Sequence, residues 1–181
     1  MKKSCQEIKS ALKNVRSAII ATHVDPDGDA IGSMLALGMV LEQLKIEVFY
    51  YSHDSVPKIY RFLAGAEKIK REITDFHHFD AAFVVDSSDI SRIGDRIDLK
   101  KLAPKIINID HHPDNTRFGD INCVMKTSSV AEQIYDMVKF LKIKLDKKIA
   151  DCLYTSIITD TGNFRYDNTT AKTFLIAAEL I

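Results

Sequence analysis

The chain has 181 residues, of which 46% are hydrophobic and 28% charged, a balance that suits one soluble globular domain. Its 25 basic and 25 acidic residues cancel, which excludes a basic coat for wrapping long nucleic acid. No apolar run approaches the roughly 20 residues of a membrane span, the N-terminal MKKSCQEIKSALK lacks the apolar core of a secretory signal, and Cys5, Cys123 and Cys152 are too few and too scattered for a disulfide framework or a zinc motif, so a reducing cytoplasm is the default.

In chain order, residues 4–15 read as an amphipathic helix, with Ile8, Leu12 and Val15 at helical spacing. Ser17–Thr22 is a short apolar run suited to a buried strand. Ala30–Leu44 is a strong helix, with Ile31, Leu35, Leu37, Val40, Leu41 and Leu44. Ile46–Tyr51 is a second strand and Pro57–Leu63 a helical turn. Ala81–Asp86 and Lys105–Asp110 are two further strands, each ending in an Asp. Ser129–Leu141, Lys147–Thr159 and Thr170–Leu180 read as helices. Buried strands alternating with helices predict an α/β fold, a mostly parallel sheet with helices on both faces. In such sheets function gathers at the C-terminal ends of the strands.

Chemistry-bearing residues fall at those ends. The first strand runs into His23, Asp25, Asp27 and Asp29; the third into Asp86; the fourth into Asp110, His111 and His112. A later helix ends at Asp160, before Thr161 and Gly162. Parallel strands bring their ends to one rim, so these clusters converge although they span about 140 residues of sequence. Four carboxylates crowded together repel unless something positive lies between them. Two divalent cations carry +4, which matches Asp27, Asp29, Asp86 and Asp160, and His23 and His111 supply neutral nitrogen. Oxygen ligands with a minority of imidazoles and no thiolate favour manganese, with magnesium second, over structural zinc. Ions in a two-metal site lie about 3.5–4 Å apart, a separation that a bridging carboxylate maintains; Asp86 is the expected bridge. A water between the ions is the expected nucleophile, and the ions would clamp the phosphate oxygens.

Blander readings compete. Asp25, Asp27 and Asp29 match positions 1, 3 and 5 of a calcium loop, but Ala30 and Ala36 stand where that loop needs Gly and Glu. Asp29 precedes a helix and suits an N-cap, a role compatible with ligation. His53 and His77-His78 read as solvated loop residues. Arg92, Arg117, Lys126 and Arg165 are candidate phosphate contacts, with Arg117, near the third cluster, the strongest. Phe164 and Tyr166 suit either base stacking or the core, and Cys152 reads as a small core residue.

HVDPDGDAIGS (23–33), VVDSSD (84–89), NIDHHPDN (108–115) and TDTGNF (159–164) resemble the four motifs of the DHH phosphoesterase superfamily. The first and third are most similar in spelling to the branch of small bacterial oligoribonucleases that also act as adenosine 3′,5′-bisphosphate phosphatases. The resemblance runs from about Ser17 to Phe174. It implies one metal held by His23, Asp27 and Asp86 and another by Asp29, Asp86, His111 and Asp160, usually manganese. It implies that His112 faces the substrate phosphate as hydrogen-bond donor or general acid, that Asp110 supports the imidazoles, and that Asn115 helps to bind substrate.

The implied activity is two-metal hydrolysis of short oligonucleotides or nucleoside 3′,5′-bisphosphates. Inorganic pyrophosphatase or exopolyphosphatase, cyclic-dinucleotide phosphodiesterase, and a non-catalytic module of the same fold are the alternatives. Near-neutral charge suits a short substrate, and a homodimer is compatible with the fold. Fuller members of the branch carry a C-terminal domain with a Gly-Gly-Gly-His stretch, and this sequence has no paired glycines. The expectation is a single catalytic domain over 1–181, without the family's second, substrate-gripping domain.

Overall fold

The computed structural model describes residues 2–73 and 78–181. In chain order the elements are α1 (Lys2–Ala11), β1 (Ser17–Ala21), α2 (Gly28–Gln43), β2 (Glu47–Tyr51), β3 (Ala81–Val85), α3 (Leu99–Leu102), β4 (Ile106–Asp110), β5 (Ile121–Val124), α4 (Val130–Leu141), α5 (Lys147–Asp160) and α6 (Ala171–Leu180), joined by turns and short 3₁₀ segments. The strands form one sheet in the order β2-β1-β3-β4-β5, and every neighbouring pair is parallel.

β3 and β4 are buried along their whole length, which is why AAFVV and IINID read as continuous rather than alternating apolar runs. Side chains of successive strand residues point to opposite faces. Ile20, Phe83, Ile107 and Ile109 join the larger core, packed against α2, α4 and α5. Ile19, Ala82, Val84 and Ile106 join a smaller core on the other face, covered by Ile93 from a 3₁₀ segment and by Leu99 and Ala103 from α3 and its end. Each fully buried Ile, Leu or Phe contributes about 1.5–3 kcal/mol, so the larger face supplies most of the stability without any bound ion.

α2 lies sheathed between the sheet, α4 and α5, and Ala30 through Leu37 are all buried. It approaches α5 closely: a methyl group at Gly32 would lie 2.5 Å from the Cys152 carbonyl oxygen. The chain winds outward from β1 to β2 and then in the opposite direction through β3, β4 and β5, so the topological switch falls between β1 and β3, the place where open α/β sheets bind their ligands.

The elements differ from expectation in a few places. β5 is an additional strand: INCV is four residues long, half-exposed and at the sheet edge, so it lacks the apolar run that marks the inner strands. α2 begins at Gly28, two residues early, because Asp27 rather than Asp29 is its N-cap, accepting from the Asp29 and Ala30 amides. The helical turn at 57–63 reduces to a 3₁₀ segment, Lys58–Tyr60. Among the described residues no helix is long and apolar enough to cross a membrane, and the three cysteines are buried and unpaired.

Candidate metal centre

The C-terminal rim of the sheet gathers the four clusters. β1 ends beside β3, where the buried Thr22 hydroxyl donates to the Val85 carbonyl at 2.9 Å. This places His23 against Asp86, with Nε2 3.4 Å from Oδ2. The other ring nitrogen, Nδ1, lies 2.6 Å from the Val24 carbonyl oxygen, which can only accept; Nδ1 therefore carries the proton and Nε2 faces the carboxylates. Asp27 caps α2 through Oδ1, at 2.9 Å from the Asp29 amide and 3.0 Å from that of Ala30.

Asp29, in the first turn of α2, is fully buried. Its Oδ1 accepts from Ser33 at 2.9 Å and from Ser156, and its Oδ2 accepts from the Val130 amide at 2.9 Å. Those donors come from α2, α5 and the start of α4. His111 Nε2 stands among three carboxylates: 3.3 Å from Asp160, 3.6 Å from Asp86 and 3.7 Å from Asp29. Its Nδ1 is 3.2 Å from the Thr127 carbonyl, which fixes the ring as Val24 fixes His23. His112 stacks obliquely on His111, ring centres 4.7 Å apart, and its Nδ1 donates to Asp110 Oδ1 at 2.8 Å.

His23, Asp27 and Asp86 offer ligand atoms that all lie within 4.8 Å of one another; Asp29, His111 and Asp160 form a second such group, and Asp86, His111 and His112 a third. Asp86 belongs to two of the three and lies between the imidazoles. Its Oδ1 is buried without a hydrogen-bond partner, which is costly unless a cation completes it. The Asp86 backbone is left-handed, with φ +55°, a conformation that non-glycine residues seldom adopt, aspartate and asparagine more often than most.

Proton affinities show how strongly the rim calls for positive charge. Burial pushes the Asp29 carboxyl well above the ordinary range, and the charges of Asp86 and Asp160 push it further. Burial also carries Asp160 up to about 6. Burial works against charge on His111, but Asp86, Asp29 and Asp160 outweigh it and raise that imidazole to about 10. His23 rises in the same way, burial opposing and Asp86 prevailing. Burial would likewise raise Asp86, yet His111 and His23 hold it below the usual carboxylate range. Without ions, the imidazoles stand in as the cations. Oxygen and imidazole donors in this proportion, with no thiolate, fit hard or borderline divalent ions.

The remaining expected site residues divide. Asp110 is fully buried beside His112. The Asn115 side-chain nitrogen lies 2.7 Å from Asp110 Oδ2, 2.8 Å from Asn108 Oδ1 and 3.2 Å from the Ser87 carbonyl, all inside the protein. Arg117 is exposed, its amide tied to Asn115 Oδ1 at 2.7 Å. Arg92, Lys126 and Arg165 are exposed, and Arg165 donates to its neighbour Gly162. Phe164 stacks on Phe174, ring centres 5.2 Å apart, while Tyr166 is exposed. His53 is more engaged than a solvated residue, half-buried between Asp54 at 3.3 Å and Asp95 at 3.4 Å; His78 is exposed, and His77 lies outside the described residues. Ser33, Ser156, Thr127 and Asn108 support the site without being singled out by sequence. Of these only Ser33, one helical turn after Asp29, left a local signal.

Residues 17–157 match the DHH family, N-terminal domain. A bifunctional oligoribonuclease and PAP phosphatase NrnA from Thermus thermophilus is 37% identical over 176 residues, which is 96% of this chain and 52% of that protein. The protein of the same description from Bacillus subtilis is 33% identical over 169 residues, 90% of this chain and 52% of its own length. The chain thus spans about half the length of these curated relatives. Among solved structures, an exopolyphosphatase-related protein from Bacteroides fragilis superposes with a TM-score of 0.90 at 25% identity, covering 99% of this chain and 56% of that one.

Proposed function

Since the chain belongs to the DHH family, we propose that it is the metal-binding part of a phosphoesterase that hydrolyses short oligonucleotides and adenosine 3′,5′-bisphosphate, the activities carried in the descriptions of its Thermus and Bacillus relatives. The observation that carries this reading is the shared carboxylate: Asp86 belongs both to the His23–Asp27 group and to the group with His111 and His112, and one of its oxygens is left without a partner.

His23, Asp27 and Asp86 would hold one ion; Asp29, Asp86, His111 and Asp160 would hold the other. The mixed carboxylate and imidazole set favours manganese, with magnesium the alternative. When bound, such a pair supplies an acidified water at neutral pH and neutralises charge on the phosphoryl oxygens. The chain's own residues do the rest. Val24 and Thr127 fix the tautomers of His23 and His111, so each ring presents Nε2 to the rim. Asp110 accepts the Nδ1 proton of His112 and raises the proton affinity of the ring, favouring the doubly protonated imidazolium, whose Nε2–H can donate to a phosphate oxygen or to the leaving oxygen as general acid. Arg117, exposed beside the third motif, is our candidate contact for a substrate phosphate. Free, buried cysteines suit a reducing cytoplasm.

Phosphate and nucleotide release from adenosine 3′,5′-bisphosphate, a dinucleotide and inorganic pyrophosphate, followed side by side with manganese, tests the substrate class. Faster turnover of the two nucleotide substrates is expected. Pyrophosphate as the best substrate would overturn the reading in favour of a pyrophosphatase. Calorimetric titration of the metal-free chain with manganese is expected to give two ions per chain.

A further inference from the structure

Between the ends of β3 and β4 lies an amide pair, one buried and one partly buried, that the proposed reaction leaves unused. Asn108 is fully buried on β4. Its side-chain nitrogen donates to the Val84 carbonyl at 3.2 Å and to the Ser87 carbonyl at 3.1 Å, and its oxygen accepts from Asn115 at 2.8 Å. Asn115 also donates to Asp110 Oδ2 at 2.7 Å. Asp110 Oδ1 in turn accepts the His112 ring proton at 2.8 Å, while its Oδ2 also accepts from the His112 amide at 3.3 Å. A continuous chain of hydrogen bonds therefore runs from the corner that carries Asp86, through Asn108, Asn115 and Asp110, to His112.

We propose that Asn115 is a positioning residue that acts through Asp110 on His112, rather than a substrate contact. The inference rests on the proposed phosphoesterase reading for its kinetic consequence, but not for its structural one. The amide nitrogen has two hydrogens and three inward acceptors, so it has none left for a phosphate. The amide oxygen already accepts from the Arg117 backbone. A carboxylate between an imidazole and a fixed amide donor has one orientation, and it locks the ring's tautomer and direction. Asn108 supplies the far anchor: through Ser87 it ties that orientation to the turn just after Asp86, so the shared carboxylate and the proton donor move together.

Two variants separate this role from a mere turn. Asn115→Asp keeps the volume and the acceptor for Arg117 but loses both donors; Asn115→Ala loses donors and acceptor together. In the metal-free chain, nitrogen-15 NMR of the imidazoles is expected to show a slowly exchanging Nδ1 proton on His112 that disappears in both variants, while that of His23, held by Val24, persists. Retention of the His112 signal in both variants overturns the proposal. With manganese and a dinucleotide, kcat is expected to fall about 10–100-fold in both, the usual cost of losing a ligand-supporting partner, with KM within a factor of two. A raised KM at unchanged kcat would instead make Asn115 a substrate contact. Asn115→Ala added to His112→Ala is expected to cause no further loss; additive losses would refute action through His112. Two-ion binding by the wild type tests the metal reading separately.

Discussion

Asp29 and Asp86 are both buried carboxylates at one rim, but they are held by opposite means. Asp29 accepts hydrogen bonds from α2, from α5 and from the first amide of α4, so three helices meet on it. Asp86 rides the end of a central strand, has imidazoles on both sides and keeps one oxygen that no donor approaches to hydrogen-bond distance. A carboxylate that organises its neighbours is part of the fold whether or not an ion is present. One left incomplete by the fold has a use only when something positive arrives.

The sharpest test of that contrast is a pair of substitutions. Asp86→Asn removes the charge at constant shape and is expected to lower manganese-supported hydrolysis by at least about 10³-fold, the scale of losing a principal electrostatic group. Its stability in urea with a chelator present should fall by less than that of the Asp29→Ala variant, because the flanking imidazoles can shed their protons once their partner is gone. Asp29→Ala is expected to abolish activity to a similar degree and also to cost at least about 2 kcal/mol of stability, since the Val130 amide is left buried and unpaired. Equal stability in the two variants would break the comparison.

A subtler probe leaves both acids intact. Gly32→Ala would push a methyl group toward the Cys152 carbonyl and pry α2 from α5, the helices that carry Asp29 and Asp160. A loss of about 1–3 kcal/mol is expected from overpacking, with manganese affinity in titration calorimetry weakened more at one site than at the other. The smallest effect is the control. Asp146 caps α5 by accepting from the Ile149 amide at 3.1 Å, much as Asp27 caps α2. Asp146→Ala is expected to cost about 1 kcal/mol in thermal or urea unfolding with turnover unchanged, which would show that a capping carboxylate away from the rim serves the helix alone.

Much of this arrangement is legible along the chain, because inner strands and strand-end acids are local signals. A run such as AAFVVD announces both a buried strand and the residue that leaves it. The parallel topology then assembles distant clusters without further information. What stayed hidden depends on contacts made only after folding. β5 is short, half-exposed and defined by its pairing with β4. The cap of α2 went to Asp27 rather than Asp29 because Asp29 turns inward to meet Ser156, 127 residues away. Asn115 reads as a polar residue in a catalytic motif, and only its three inward acceptors show which way it faces. His53 likewise owes its half-buried place to a distant stretch, its ring packing against Gly94, 41 residues on.

The left-handed corner at residue 86 limits which side chains this position can accept. Glycine, asparagine and aspartate tolerate such a backbone best, and of those three only aspartate is anionic. Lengthening the acid to glutamate would meet steric resistance from the main chain before its reach came into question. A library randomised at this codon should therefore rank glycine, asparagine and aspartate as its most stable members, with aspartate alone among them working, and any redesign seeking a longer ligand here must absorb the strain of the turn beneath it.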